Sequence, residues 1–88
     1  MFKLGTVINY LPKTQIAIIQ LSADLFIHEK IKFVFEKYTL FEQVVDEIRL
    51  DYKKVDFAKA GSVVGIHIDM LVLGENGKIE TGTEIFRS

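Results

Sequence analysis

Apolar residues in this chain come in short runs that alternate with polar ones, and the runs are rich in valine, isoleucine and phenylalanine. That is the signature of strands with one buried face. Phe2 to Tyr10 forms the first such run. Leu11-Pro12-Lys13-Thr14 then breaks it, with proline suited to the first central position of a turn. Gln15 to Leu21 (QIAIIQL) is nearly continuous in apolar residues, so the pair predicts a hairpin. Ser22-Ala23-Asp24 is turn material. Leu25-Phe26-Ile27 leads into a second turn at His28-Glu29-Lys30. Ile31 to Phe35 follows as a third strand, with Ile31, Phe33 and Phe35 on one face.

Phe41 to Tyr52 predicts a fourth strand, provided a bulge near Asp46 keeps Val44, Val45, Ile48 and Leu50 in alternation. Helix is the competing reading for Phe41–Leu50. In the strand reading Ile48, Leu50 and Tyr52 share one face and Glu47, Arg49, Asp51 and Lys53 the other. Asp56 to Ala60 fits one helical turn, with Asp56 as N-cap and Gly61 in the left-handed C-terminal position. In the fifth strand Val64, Ile66, Ile68 and Met70 face one way, and Val63, Gly65, His67 and Asp69 the other. A glycine in mid-strand implies a close backbone approach or a bend. Gly74-Glu75-Asn76-Gly77 predicts a turn, and Gly82-Thr83 opens a last strand, Glu84 to Arg87. Closely spaced strands with no long helical pattern between them predict an all-β fold. The expected form is a six-stranded closed antiparallel barrel, with residues 1–88 as a single domain.

A domain of 88 residues buries only about 60–65% of its unfolded surface, so its stability margin is thin. With no cysteine, neither disulfides nor thiolate metal sites contribute. Apolar content compensates: 49% of residues are hydrophobic, among them seven Phe and three Tyr. So much apolar surface on a small domain points to a patch that meets a partner, or to self-association. Eleven basic and twelve acidic residues leave a net charge of −1. A dedicated nucleic-acid binder is far more basic, so any RNA contact must be local or assisted. Ile16–Ile19 and Met70–Leu73 are far shorter than the roughly 20 residues of a membrane span. The first ten residues lack the apolar core and cleavage site of a signal peptide. A soluble, cytoplasmic protein is expected.

The search for chemistry gives little. Gly77-Lys78 has a superficial phosphate-loop look, but Val72 stands where the first glycine belongs and Ile79 replaces Ser/Thr, so no nucleotide is expected. His28 and His67 are the two histidines. His28 sits in a turn, and His67 shares a strand face with Asp69. Ser22, Ser62 and Ser88 have no nucleophile-elbow glycines. Asp46, Glu47 and Asp51 read as strand-face charges set against Arg49 and Lys53. The expectation is therefore a protein that is not an enzyme, with no cofactor and no metal. The densest basic group, Lys53 and Lys54 with Arg49 and Lys59, is the candidate phosphate contact, diluted by Asp51 and Asp56. Phe26, Tyr38 and Phe41 lie near turns, as base-stacking aromatics do, or as plugs at a barrel end.

The order of these signals resembles the β-barrel that follows the GTPase domain in elongation-factor-Tu-type translation factors. Gly5-Thr6-Val7 looks like the opening of that barrel, and Ile8-Asn9-Tyr10 through Leu21 like its first hairpin. Phe41-x-Gln43-x-Val45-x-x-Ile48 is similar to the strand before its crossover. Val55-x-x-Ala58-x-x-Gly61-x-x-Val64-Gly65-Ile66 is similar to its best signature, although Ser62 stands where the family has Asp. In length the chain resembles small stand-alone elongation factor-like proteins. The resemblance implies a non-enzymatic binding module that contacts tRNA, ribosomal RNA or a translation-associated protein. Related barrels form the C-terminal part of some collagenase-like peptidases. The alternatives are thus a protein-interaction or oligomerisation module, or an accessory subunit of a peptidase-like enzyme.

Overall fold

The computed structural model describes residues 2–69 and 77–88; the expected turn at 74–77 lies largely outside them. The described residues form strands joined by turns, with no helix. Among the described residues ten strands appear: β1 Phe2–Leu11, β2 Ile16–Leu21, β3 Leu25–Phe26, β4 Lys30–Phe35, β5 Tyr38–Val44, β6 Ile48–Leu50, β7 Lys53–Val55, β8 Phe57–Ala58, β9 Val63–His67 and β10 Glu84–Arg87. Eight of them make one antiparallel sheet in the order β5-β4-β10-β1-β2-β9-β6-β7, while β3 and β8 pair separately.

The sheet is curled. β5, at one end, and β6, next to the other end, are consecutive in sequence, and the four Cα steps from Val44 to Ile48 reach at most about 14 Å. The chain leaves β4 at Val44 and joins β9 at Ile48, opposite Ile66. Val45 sets the switch: its N–H donates to the Glu29 carbonyl at 2.8 Å, and its own carbonyl accepts from the His28 N–H at 2.6 Å. With both backbone groups taken by the β3–β4 turn, Val45 leaves the ladder and drops its side chain into the core, fully buried. The break expected near Asp46 is therefore real, but it divides two strands instead of bulging one.

Several expectations need correction. Among the described residues the sheet does not close into a six-stranded barrel: no ladder joins its two ends, and there are ten strands, some of two or three residues. No helical turn spans 56–60. Lys53–Val55 folds back on β6 as a hairpin, and Phe57–Ala58 pairs with β3. Asp56 caps nothing there; its carbonyl accepts from the Ile27 N–H. The carboxylate that meets the Ala60 N–H belongs to Asp24. Gly61 does take the left-handed conformation, at φ 93°. Tyr52 does not share the inward face of Ile48, because it sits at the hairpin tip.

The core lies inside the curl, where Leu4, Val7, Ile19, Ile31, Phe33, Ile48, Val64, Ile66, Ile68 and Ile85 are buried. Phe33 and Phe41 stack within it, with ring centroids 4.4 Å apart. Among the described residues Thr83 is the buried polar side chain, and its hydroxyl donates to the Glu80 carbonyl at 2.7 Å. No helix among the described residues is long and apolar enough to cross a membrane.

Candidate functional site

The outer face of β2, β9 and β6 is unusually apolar for a solvent-facing surface. Alternation along β2 sends Ala17, Ile19 and Leu21 inward, so Ile16 and Ile18 point outward and remain only half-buried. Leu11 is paired to Ile16 and Val63 to Gln20 across the ladder, and both are exposed. These side chains, with Gly65, Tyr52, Arg49 and Asp51, line a groove of about 410 Å³. Gly65 forms part of its floor. A Cβ there would stand 2.9 Å from Ile16 Cγ2, so the glycine is required by the neighbour that leans over it.

Tyr52 is 98% exposed. It and Asp51 are the two central residues of the β6–β7 turn, and both have positive φ, 67° and 52°. That is the geometry of a type I′ turn, which glycine and asparagine adopt most readily. A tyrosine held in the left-handed region, with its ring in water, is strained and gains nothing from the core.

The candidate phosphate group is less free than its sequence suggests. Arg49 and Lys54 are register partners across β6 and β7. The Glu47 carboxylate lies between them, with Arg49 Nε at 2.6 Å and Lys54 Nζ at 3.2 Å. The Arg49 bond, and then the Lys54 bond, hold the Glu47 carboxyl below the usual carboxylate range. Lys53 and Lys59 are exposed, and among the described residues neither forms an ion pair. Two of the four cations thus serve Glu47, and Lys59 follows β8 and is not part of the hairpin. Glu47 was legible as a partner of Arg49. Its second partner depends on a hairpin whose turn lacks the glycine that would have announced it.

A second, polar groove of about 520 Å³ is lined by Glu42, Gln43, Val44, Asp46, His67 and Asp69. His67 and Asp69 do fall on one side of the sheet, both exposed, whereas His28 occupies a left-handed turn at φ 75°. No group of three or more His, Cys, Asp or Glu among the described residues is arranged to hold a metal. Of the candidate stacking aromatics, Phe41 is a core residue, while Tyr38 is 77% exposed and Phe26 is 47% exposed. Phe26 stacks on Phe57 across the β3–β8 pair, with centroids 5.7 Å apart.

No protein-family model matches the chain. It is 33% identical over 70 residues to an uncharacterized protease of Methanocaldococcus jannaschii, a match covering 80% of this chain. The chain spans only 17% of that relative's length. Its fold matches the C-terminal domain of a Geobacillus thermoleovorans protein assigned to the U32 peptidases. That match has a TM-score of 0.80 and 18% identity, over 97% of this chain and 90% of that one. The selenomethionine form of the same domain gives a TM-score of 0.82 at 18% identity, over 99% and 100% of the two chains.

These findings overturn the resemblance to the translation-factor barrel, and with it the elongation-factor reading: the matches lie with peptidase-associated chains. The signature that suggested translation has a structural cause. Gly5, Gly61 and Gly65 are fixed by close strand packing and one left-handed turn, needs that a small curled sheet has whatever it binds.

Proposed function

We propose that this chain is a non-catalytic accessory module of a U32-type peptidase, meeting its partner polypeptide through the apolar outer face of β2, β9 and β6. The observation that carries the reading is the near-complete overlap with a domain that sits at the C-terminal end of such a protein. The sequence relative supports it, being a protease several times the length of the matching segment. The apolar groove and the strained, exposed Tyr52 supply a surface suited to a protein partner, since interface centres are enriched in aromatic and apolar side chains. The paired Glu47, Arg49 and Lys54 supply a polar rim.

An activity assay tests the non-catalytic part. The purified chain, incubated with a fluorescein-labelled denatured protein substrate, is expected to release no peptide. Release that scales with its concentration and disappears in a His67→Ala variant would overturn it.

A further inference from the structure

We propose that Gln43 is a side-chain clasp that fastens the end of β5 to the chain leaving β9, where no backbone ladder does so among the described residues. Its carboxamide makes two bonds. Nε2 donates to the His67 carbonyl at 2.9 Å, and Oε1 accepts from the Asp69 N–H at 3.3 Å. In an extended chain, the C=O of one residue and the N–H two residues later face the same side. The carboxamide therefore straddles Ile68, which is fully buried. Among the described residues the pairing of β6 with β9 runs from Gly65 to Ile66, and Gln43 meets the chain just beyond it. On the opposite edge Ile68 donates its N–H to the Gln15 carbonyl at 2.8 Å. One short segment is held between a main chain and a side chain.

The register shows why a polar residue stands here. Phe41, Gln43 and Val45 occupy alternate positions, and Phe41 and Val45 are buried core residues. Gln43 lies opposite the buried Ile31, in line with Phe41 opposite Phe33. Hydrophobic patterning alone would place a valine or leucine at this position. Gln43 is half-buried where it lines the polar groove, and its carboxamide, carrying both a donor and an acceptor, bridges two backbone groups that an aliphatic side chain could not. The His67 carbonyl supplies the acceptor and the Asp69 N–H the donor.

Two variants test the clasp. In Gln43→Leu, amide exchange at Asp69, measured by NMR, is expected to speed up about tenfold relative to the wild type, as an opened edge requires. Gln43→Glu covers the case in which the leucine variant fails to fold. Its ionised carboxylate still accepts from Asp69 but has no proton to offer His67, and it sits among Glu42, Asp46, Asp69 and His67, with Lys30 and Lys32 bound to Glu42. Protonation restores an O–H donor in the shape of the carboxamide. The urea midpoint of Gln43→Glu should therefore fall below the wild type near about pH 7, and the gap should narrow near about pH 4. Wild-type exchange at Asp69 in Gln43→Leu, or a gap independent of pH in Gln43→Glu, would overturn the proposal.

Discussion

A Cβ placed on Gly5 would stand 2.6 Å from the backbone oxygen of Gln20, on the strand that pairs with β1. The obstacle is main chain inside a ladder, with Ile19 Cγ2 a further contact at 2.9 Å, so no rotamer change relieves it. Gly5→Ala is expected to cost about 1–3 kcal/mol, the range for overpacking. Urea unfolding measures it, and a midpoint equal to the wild type would show that the strands part freely at this point.

Gly65 differs because its obstacle is a side chain. Gly65→Ala and Gly65→Val should both destabilise, the valine more. The penalty of Gly65→Ala should shrink when Ile16 is also alanine, since Ile16 Cγ2 is the atom in the way. A double-mutant cycle reads this as coupling between contacting residues. Strict additivity would contradict the contact.

At the hairpin tip, Tyr52→Gly should raise the melting temperature. Glycine adopts the left-handed conformation freely, and the tyrosine ring contributes no burial to offset its strain. A gain of about 1 kcal/mol is expected. If the ring is an anchor for a partner, the same change should weaken binding, so that stability and association move in opposite directions. A melting temperature that falls would contradict the strain.

The inward face of the fold was legible wherever alternation was strict. Ala17, Ile19 and Leu21, and Val64, Ile66 and Ile68, are buried as their spacing requires. Gly61 and the Glu84–Arg87 strand were legible for similarly local reasons. What sequence patterning lacked was a marker for the β6–β7 hairpin. Asp51-Tyr52 is not a glycine-bearing turn, so Lys53–Val55 looked like a crossover and the outer groove stayed hidden. The exchange of partners at Val45 was also out of reach, because it depends on backbone bonds to His28 and Glu29, far away in sequence. The same limit explains the misleading resemblance: glycine spacing reports backbone need and says nothing of what an outer face binds.

Acid should weaken the β6–β7 hairpin. The folded-state pKa of Glu47 lies below its ordinary 4.5, held down by Arg49 and then by Lys54. A depressed carboxyl contributes stability above its unfolded pKa and loses that contribution as pH falls through its folded value. The loss therefore begins near about pH 4.5 and continues below it. Glu47→Gln should flatten this limb of the stability profile relative to the wild type. The effect should be modest, since solvent screens the pair. Identical acid limbs in the two proteins would remove Glu47 from the account.

The most direct measurement of the peptidase-module reading is a calorimetric titration of this chain into a U32-type peptidase lacking its own C-terminal domain. Saturable binding is predicted, weakened about tenfold or more by Val63→Asp in the outer groove, as for a residue within an interface centre. Replacing Lys53 and Lys54 together with alanine should leave the affinity unchanged, and added salt should not weaken it. No saturable heat, or binding that survives Val63→Asp and is lost with the two lysines, would contradict the account.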